Sequence, residues 1–217
     1  MIDFIGVRKQ YPTRDGYKMI LRDLSIRFPK RNIAILGENG AGKSTLLRLI
    51  AGSERPDDGD ILRHVKVSFP LGFAGSFNGS LTGNENARFV ARIYGQDTDY
   101  MLDYVREFSQ LGEHLSMPVR TYSSGMRARL AFGVSLAIDF DCYLVDEITA
   151  VGDSRFQKRS KAAFKTKLQH SNIIMVSHSN STLRDYCDIG AVLHEGRLTI
   201  YDDLRDAIGQ HEANQNI

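Results

Sequence analysis

Apolar and polar positions fall into three regimes along the chain. From Ile2 to Leu36 the pattern predicts strands: Ile2–Lys9, then Met19–Phe28 with alternating apolar residues, then Asn32–Leu36, a short apolar run leading straight into a glycine loop. From Asn84 the period lengthens to that of helices, through NENARFVARIYG, YMLDYVREFSQLG and the segment Ser124–Ile138. The apolar run Cys142–Asp146 (CYLVD) then reads as a strand again. The last third alternates: a basic helix over Ser154–Gln169, a strand NIIMVS, a short helix, and IGAVLHEGRLTIYD as two strands about a Glu-Gly turn. The polar end HEANQNI reads as frayed.

Strands that alternate with helices predict an α/β fold with a mostly parallel core sheet and ligand sites at the carboxyl ends of its strands. The helical block, at about 82–139, reads as a subdomain inserted into a single module spanning 1–217, with no linker or internal repeat.

Composition narrows the functional classes. The chain has 217 residues, 42% of them hydrophobic, enough to bury one proper core. With 28 basic against 26 acidic residues its net charge is +2, unlike a dedicated nucleic-acid binder, so no nucleic-acid partner is expected. The basic stretch RFQKRSKAAFKTK reads as a solvated helix face. The longest apolar run, Leu130–Ile138, is too short to cross a bilayer, and MIDFIGVRKQ lacks a signal-peptide pattern, so a cytoplasmic location is expected. Cys142 and Cys187 fit neither a disulfide framework nor a metal cluster and read as packed thiols.

The sharpest chemical signal is GENGAGKST, Gly37 to Thr45, preceded by the strand NIAIL and followed by the helix KSTLLRLIAG. Gly37, Gly40 and Gly42 let the backbone turn so that successive N–H groups, those of Asn39 and Ala41 included, wrap a phosphate at a helix start. Lys43 reaches the β- and γ-phosphates of a nucleotide, the Ser44 hydroxyl is placed to ligate Mg²⁺, and Thr45 adds an α-phosphate contact; kinases, GTPases and transport ATPases all share such a loop. Asp146 and Glu147 at the end of CYLVD divide the remaining work: Asp146 holds the Mg²⁺, and Glu147 orients and deprotonates the attacking water. His178 ends the next strand, where a parallel sheet brings it to the same edge to bond the γ-phosphate or to fix Glu147 and the water.

A second anion-holding segment is YSSGM, with Ser123, Ser124, Gly125 and Met126 at the start of a long helix. One triphosphate is already served by the glycine loop, so this segment needs another nucleotide. An isologous homodimer supplies it, with YSSGM of each subunit closing over the ATP held by the other. A plain helix cap by Ser123 or Ser124 is the alternative.

In order and spacing these residues resemble the ATP-binding-cassette ATPases over nearly the whole chain. By that resemblance GENGAGKST is Walker A, YSSGM the signature, CYLVDE Walker B with Glu147 as catalytic glutamate, Ala150–Asp153 with Gly152 and Asp153 the D-loop, and His178 the switch histidine. It implies the P-loop NTPase cassette fold with an antiparallel β-subdomain, and it points to Tyr11 as the aromatic stacked on adenine, with Tyr17 as rival. One feature departs from the family: VSFPLGFAGSFNGSLTGNENARF lacks the glutamine most members carry there. In it Phe69, Leu71, Phe73 and Phe77 are either buried under the helical subdomain or a groove for a partner helix.

Within the family, SSGM and DEITAVGDSRF are similar to exporters of surface polysaccharide, the capsule, O-antigen and teichoic-acid group. That likeness implies a separate integral membrane permease as partner, a place on the cytoplasmic face of the membrane, and lipid-linked capsular polysaccharide as indirect cargo. A chain ending at Ile217 is expected to carry no further carbohydrate-binding domain. The rival classes are a soluble cassette ATPase of translation or DNA repair, whose members usually carry two cassettes or a long coiled-coil insertion that 217 residues do not accommodate, and a non-catalytic ATP-gated clamp, which Glu147 and His178 argue against.

Overall fold

The computed structural model describes residues 1–71, 77–146 and 154–215. The chain divides into two compact units: Met1–Pro70, Phe140–Glu147 and Ser171–Ile217 form one, Leu71–Asp139 and Ile148–His170 the other.

The first unit opens with two long strands, β1 (Ile2–Thr13) and β2 (Gly16–Phe28), which pair antiparallel from Ile2↔Phe28 to Thr13↔Gly16. β1 also pairs antiparallel with β4 (Asp58–Arg63), completing a three-stranded sheet. A larger six-stranded sheet runs β5 (Val67–Leu71), β6 (Cys142–Asp146), β7 (Asn172–Val176), β3 (Ile33–Leu36), β8 (Ile189–His194), β9 (Arg197–Tyr201) in spatial order. Pairs β6–β7, β7–β3 and β3–β8 are parallel, while β8–β9 is an antiparallel hairpin. Every residue of β3 is buried, as a strand covered on both faces must be.

Helix α1 (Lys43–Ala51) joins both sheets in one core: Leu46, Leu47, Leu49 and Ile50 are fully buried together with Phe4 and Leu21 of the small sheet and Ile33 and Leu144 of the large one. At roughly 1.5–3 kcal/mol for each such aliphatic side chain, this helix is held by packing rather than by propensity. Short α6 (Asn180–Tyr186) follows β7. Helix α7 (Leu204–Gln215) lies directly on β8: a Cβ at Gly190 would overlap that of Ala207. The segment His211–Gln215 is therefore helical and not frayed, because tertiary contact earlier in the helix anchors it. Strands β4 and β5 are likewise additions to the sequence reading.

The second unit is helical. It contains α2 (Gly83–Ile93), α3 (Thr98–Ser109), α4 (Ser124–Leu136) and α5 (Ser154–Lys167). α2 begins with a full capping box, Thr82 with Glu85, and Asp97 caps α3 through the Tyr100 N–H. α4 is buried almost all round, through Ala128, Leu130–Leu136, which explains its uninterrupted apolar sequence. Among the described residues no helix is long and apolar enough to cross a membrane. Both cysteines are buried and unpaired, and burial pushes each thiol up to about 12.

Candidate functional site

The glycine loop links central strand β3 to α1, and its sequence is dictated by close approach. A Cβ at Gly42 would overlap Ile20 of β2, and one at Gly37 would overlap the Leu193 carbonyl of β8. Gly42 is the N-cap of α1 with φ 108°, a left-handed conformation that glycine adopts freely. It caps without a side chain, and the first turn carries no acidic residue. The orphan N–H groups and positive end of α1 thus suit a phosphate. Lys43 folds over the loop, its Nζ donating to the carbonyls of Gly37 at 2.6 Å and Glu38 at 2.9 Å.

Strand register brings the other chemical groups level with this loop. Asp146 is paired with Val176, and Val176 with Ile35, so the ends of β6, β7 and β3 coincide. Gly37 and His178 each lie two residues beyond that line, and Asp146 is the last residue of β6. Ser44 is exposed on the first turn of α1 and Asp146 is half-buried. Hydroxyl and carboxylate oxygens are hard donors that fit Mg²⁺, which takes few protein ligands and completes its shell with phosphate and water. Glu147, Gly152 and Asp153 lie outside the described residues.

Tyr11 is fixed beside the loop by a network that the sequence does not announce. Its hydroxyl donates to Glu54 at 2.5 Å, accepts from Arg48 at 3.2 Å and lies 3.4 Å from the Thr45 hydroxyl. Glu54 also accepts from Arg48 Nε at 2.9 Å and pairs with Lys9 at 3.1 Å. Burial alone would raise the Glu54 carboxyl. The hydrogen bonds from Tyr11, Arg48 and Lys9 and the charge of Lys9 outweigh it and take the group down to about 2. Lys9 Nζ sits 5.3 Å from the Tyr11 ring centroid. Tyr17, across the hairpin, is 71% exposed.

His211 was also hidden from sequence reasoning, since it lies in the polar tail. Burial first, and then the charge of Lys43, hold it below the usual histidine range, with Glu38 and Glu212 opposing and His178 adding to the lowering. α7 therefore brings His211 within electrostatic reach of Lys43 and His178.

In the helical unit, YSSGM forms the start of α4. Tyr122 is buried and its hydroxyl donates to the His114 carbonyl at 2.5 Å. Ser123 is the N-cap, accepting from the Met126 N–H at 3.2 Å, and Ser124 is exposed beyond it. Ser123 thus closes the helix, and Ser124 and Gly125 carry its first N–H groups. Ser123, Gly125 and Met126 line one cleft of roughly 310 Å³ with Gln110, His114 and Arg129. In the stretch without glutamine, Leu71 is buried, Phe69 meets Phe140 edge-on at 6.1 Å, Phe77 is half-buried, and Phe73 lies outside the described residues.

Comparison with known proteins places these features in context. The family description "ABC transporter" matches residues 21–150. The capsule polysaccharide export ATP-binding protein CtrD of Neisseria meningitidis serogroup B is 50% identical over 208 residues, 95% of this chain and 96% of that protein. The polysialic acid transport ATP-binding protein KpsT of Escherichia coli is 49% identical, over 98% of this chain and 99% of its own. Among solved structures, the dimeric ATP-binding cassette MJ0796 bound to ADP and Pi superposes with a TM-score of 0.76 at 19% identity, covering 94% of this chain and 99% of that one.

Proposed function

The chain belongs to the ABC transporter family, and on that premise we propose that it is the ATP-hydrolysing subunit of an exporter of capsular polysaccharide. The observation that carries the ATPase reading is the single sheet edge shared by Gly37, Asp146 and His178. The cargo reading follows the relatives, two of which are named for capsule polysaccharide and polysialic acid and match over nearly their full length.

In this reading the backbone from Gly37 to Gly42, Asn39 and Ala41 among it, wraps the phosphates, and Lys43 leaves its loop carbonyls to bind the β- and γ-phosphates. Thr45 contacts the α-phosphate. Ser44 and Asp146 would hold Mg²⁺, which would supply neutralisation of charge on the phosphate oxygens. Glu147 aligns a water whose oxygen attacks the γ-phosphorus. It takes the water proton as the bond to the bridging oxygen breaks, releasing ADP and phosphate. His178 donates to the γ-phosphate oxygens. Tyr11 is favoured over Tyr17 as the adenine platform because Glu54 and Arg48 fix its ring beside Thr45.

Turnover needs a homodimer in which Ser123, Ser124, Gly125 and Met126 complete the site of the partner subunit, with Gly152 and Asp153 serving as the D-loop that the family resemblance assigns. The MJ0796 cassette, of like fold, is described as dimeric. Two ATP molecules close the dimer, hydrolysis reopens it, and the motion passes to an integral membrane permease from the cytoplasmic face. The test is the oligomeric state of Glu147→Gln. With ATP and Mg²⁺ it should elute as a dimer, with turnover down by about 10²–10⁴; a monomer under those conditions contradicts the shared site.

A further inference from the structure

The β8–β9 hairpin turns through Glu195 and Gly196, whose φ values are 47° and 78°. Two left-handed residues in a two-residue loop match the twist of the strands they join, so the hairpin holds one register. His194 opposes Arg197, Val192 opposes Thr199 and Gly190 opposes Tyr201. Opposed and alternate residues share a sheet face, so all six belong to one face. Ala207 of α7 packs on that face at Gly190. Leu193 belongs to the other face, where a Cβ at Gly42 of the glycine loop would lie 3.7 Å from its side chain.

Towards the turn, the α7 side of the hairpin opens into a cleft of about 370 Å³. Arg22 of β2 reaches it from the side: its N–H donates to the Gly196 carbonyl at 2.8 Å, and a Cβ at Gly196 would meet its side-chain stem. Arg22, His194 and Arg197 therefore line one concavity, with Glu195 as its acidic group. Among the described residues none of those three basic side chains enters an ion pair. Two guanidiniums facing one concavity repel each other, a cost that an oxyanion between them removes. The rest of the lining is neutral and polar. Gln210 and Asn214, one turn apart on α7, are bonded to each other at 2.8 Å, and Thr199 and Tyr201 add hydroxyls from the sheet. All of these residues lie within the first compact unit.

We propose that this cleft binds a small hydroxyl-bearing oxyanion, with the size and chemistry of a monosaccharide phosphate, at a site separate from the glycine loop. Arg22 and Arg197 take the phosphoryl oxygens with their forked N–H donors, and the His194 ring adds another. Thr199, Tyr201, Gln210 and Asn214 exchange hydrogen bonds with the ligand's hydroxyls, and the Glu195 carboxylate accepts one more. The volume falls within the roughly 300–1,000 Å³ of ligand sites.

The experiment is calorimetric titration of the full chain, saturated with ADP so that the glycine loop is occupied, with glucose 1-phosphate, inorganic phosphate and glucose. Glucose 1-phosphate should bind, inorganic phosphate should bind several-fold more weakly, and glucose should give no measurable binding. Arg22→Gln and Arg197→Gln should each weaken glucose 1-phosphate about tenfold or more, as expected for loss of a charge-assisted contact, while ADP affinity stays parental. Absence of binding by glucose 1-phosphate, or parental affinity for it in Arg197→Gln, overturns the proposal. Inorganic phosphate binding as tightly as glucose 1-phosphate overturns it too, since the polar wall then reads no hydroxyls. Should Arg22→Gln fail to fold, Arg197→Gln decides alone. A chain that does not bind ADP would sink the nucleotide reading, and the loss of glucose 1-phosphate binding in Arg197→Gln would still assign the anion to this cleft.

Discussion

Tyr11 and Glu54 share a hydrogen bond of 2.5 Å that ties the end of β1 to the segment after α1. With Arg48 and Lys9 it forms a closed polar network next to the glycine loop.

That network makes stability depend on acid. The Glu54 carboxyl is held at about 2 against an ordinary 4.5. Its contribution is fully present above about pH 4.5 and is lost as pH falls towards 2. With an 18% exposed side chain, the contribution is up to about 3 kcal/mol. Glu54→Gln should lose about 2–3 kcal/mol near neutral pH and show a flatter acid limb in denaturant titrations. An unchanged acid limb would remove the network from the account.

Adenine stacking distinguishes the two tyrosines. Tyr11→Ala should weaken ATP binding about tenfold, from loss of a ring platform worth on the order of 1–3 kcal/mol, while Tyr17→Ala should leave it unchanged. Titration of each variant with a fluorescent ATP analogue reads this directly, and the opposite order would move the platform to Tyr17.

Lys43→Ala removes the positive charge meant for the β- and γ-phosphates. Nucleotide binding measured by calorimetry should fall by about 10²-fold or more, consistent with losing a charge-assisted contact to a multiply charged ligand. Parental affinity would refute the loop assignment.

Legibility in the sequence followed how local each signal was. GENGAGKST, the Asp146 strand end and His178 could be read because strand, loop and helix are contiguous there, and β-register then levels them without further information. β4 was not legible because DGDILR offers only Ile61 and Leu62 as large apolar residues, Leu62 is 45% exposed, and the strand exists through its pairing with β1. β5 carries Pro70, which reads as a breaker but is tolerated on the outermost strand of the sheet. The helix through His211 depends on Ala207 fitting onto Gly190, a contact between residues seventeen positions apart that no local period encodes. Glu54 escaped notice for the same reason: its partners are set by tertiary structure. For YSSGM the sequence left cap and anion site as alternatives, and the structure assigns the cap to Ser123 alone.

Glu147→Gln introduced into the native host, with the lipid-linked polysaccharide then located, puts the export reading to direct trial. Capsule should disappear from the cell surface while polymer accumulates on the cytoplasmic side. Unchanged surface capsule would contradict it, and accumulation of O-antigen or teichoic acid instead would keep the ATPase and replace the cargo.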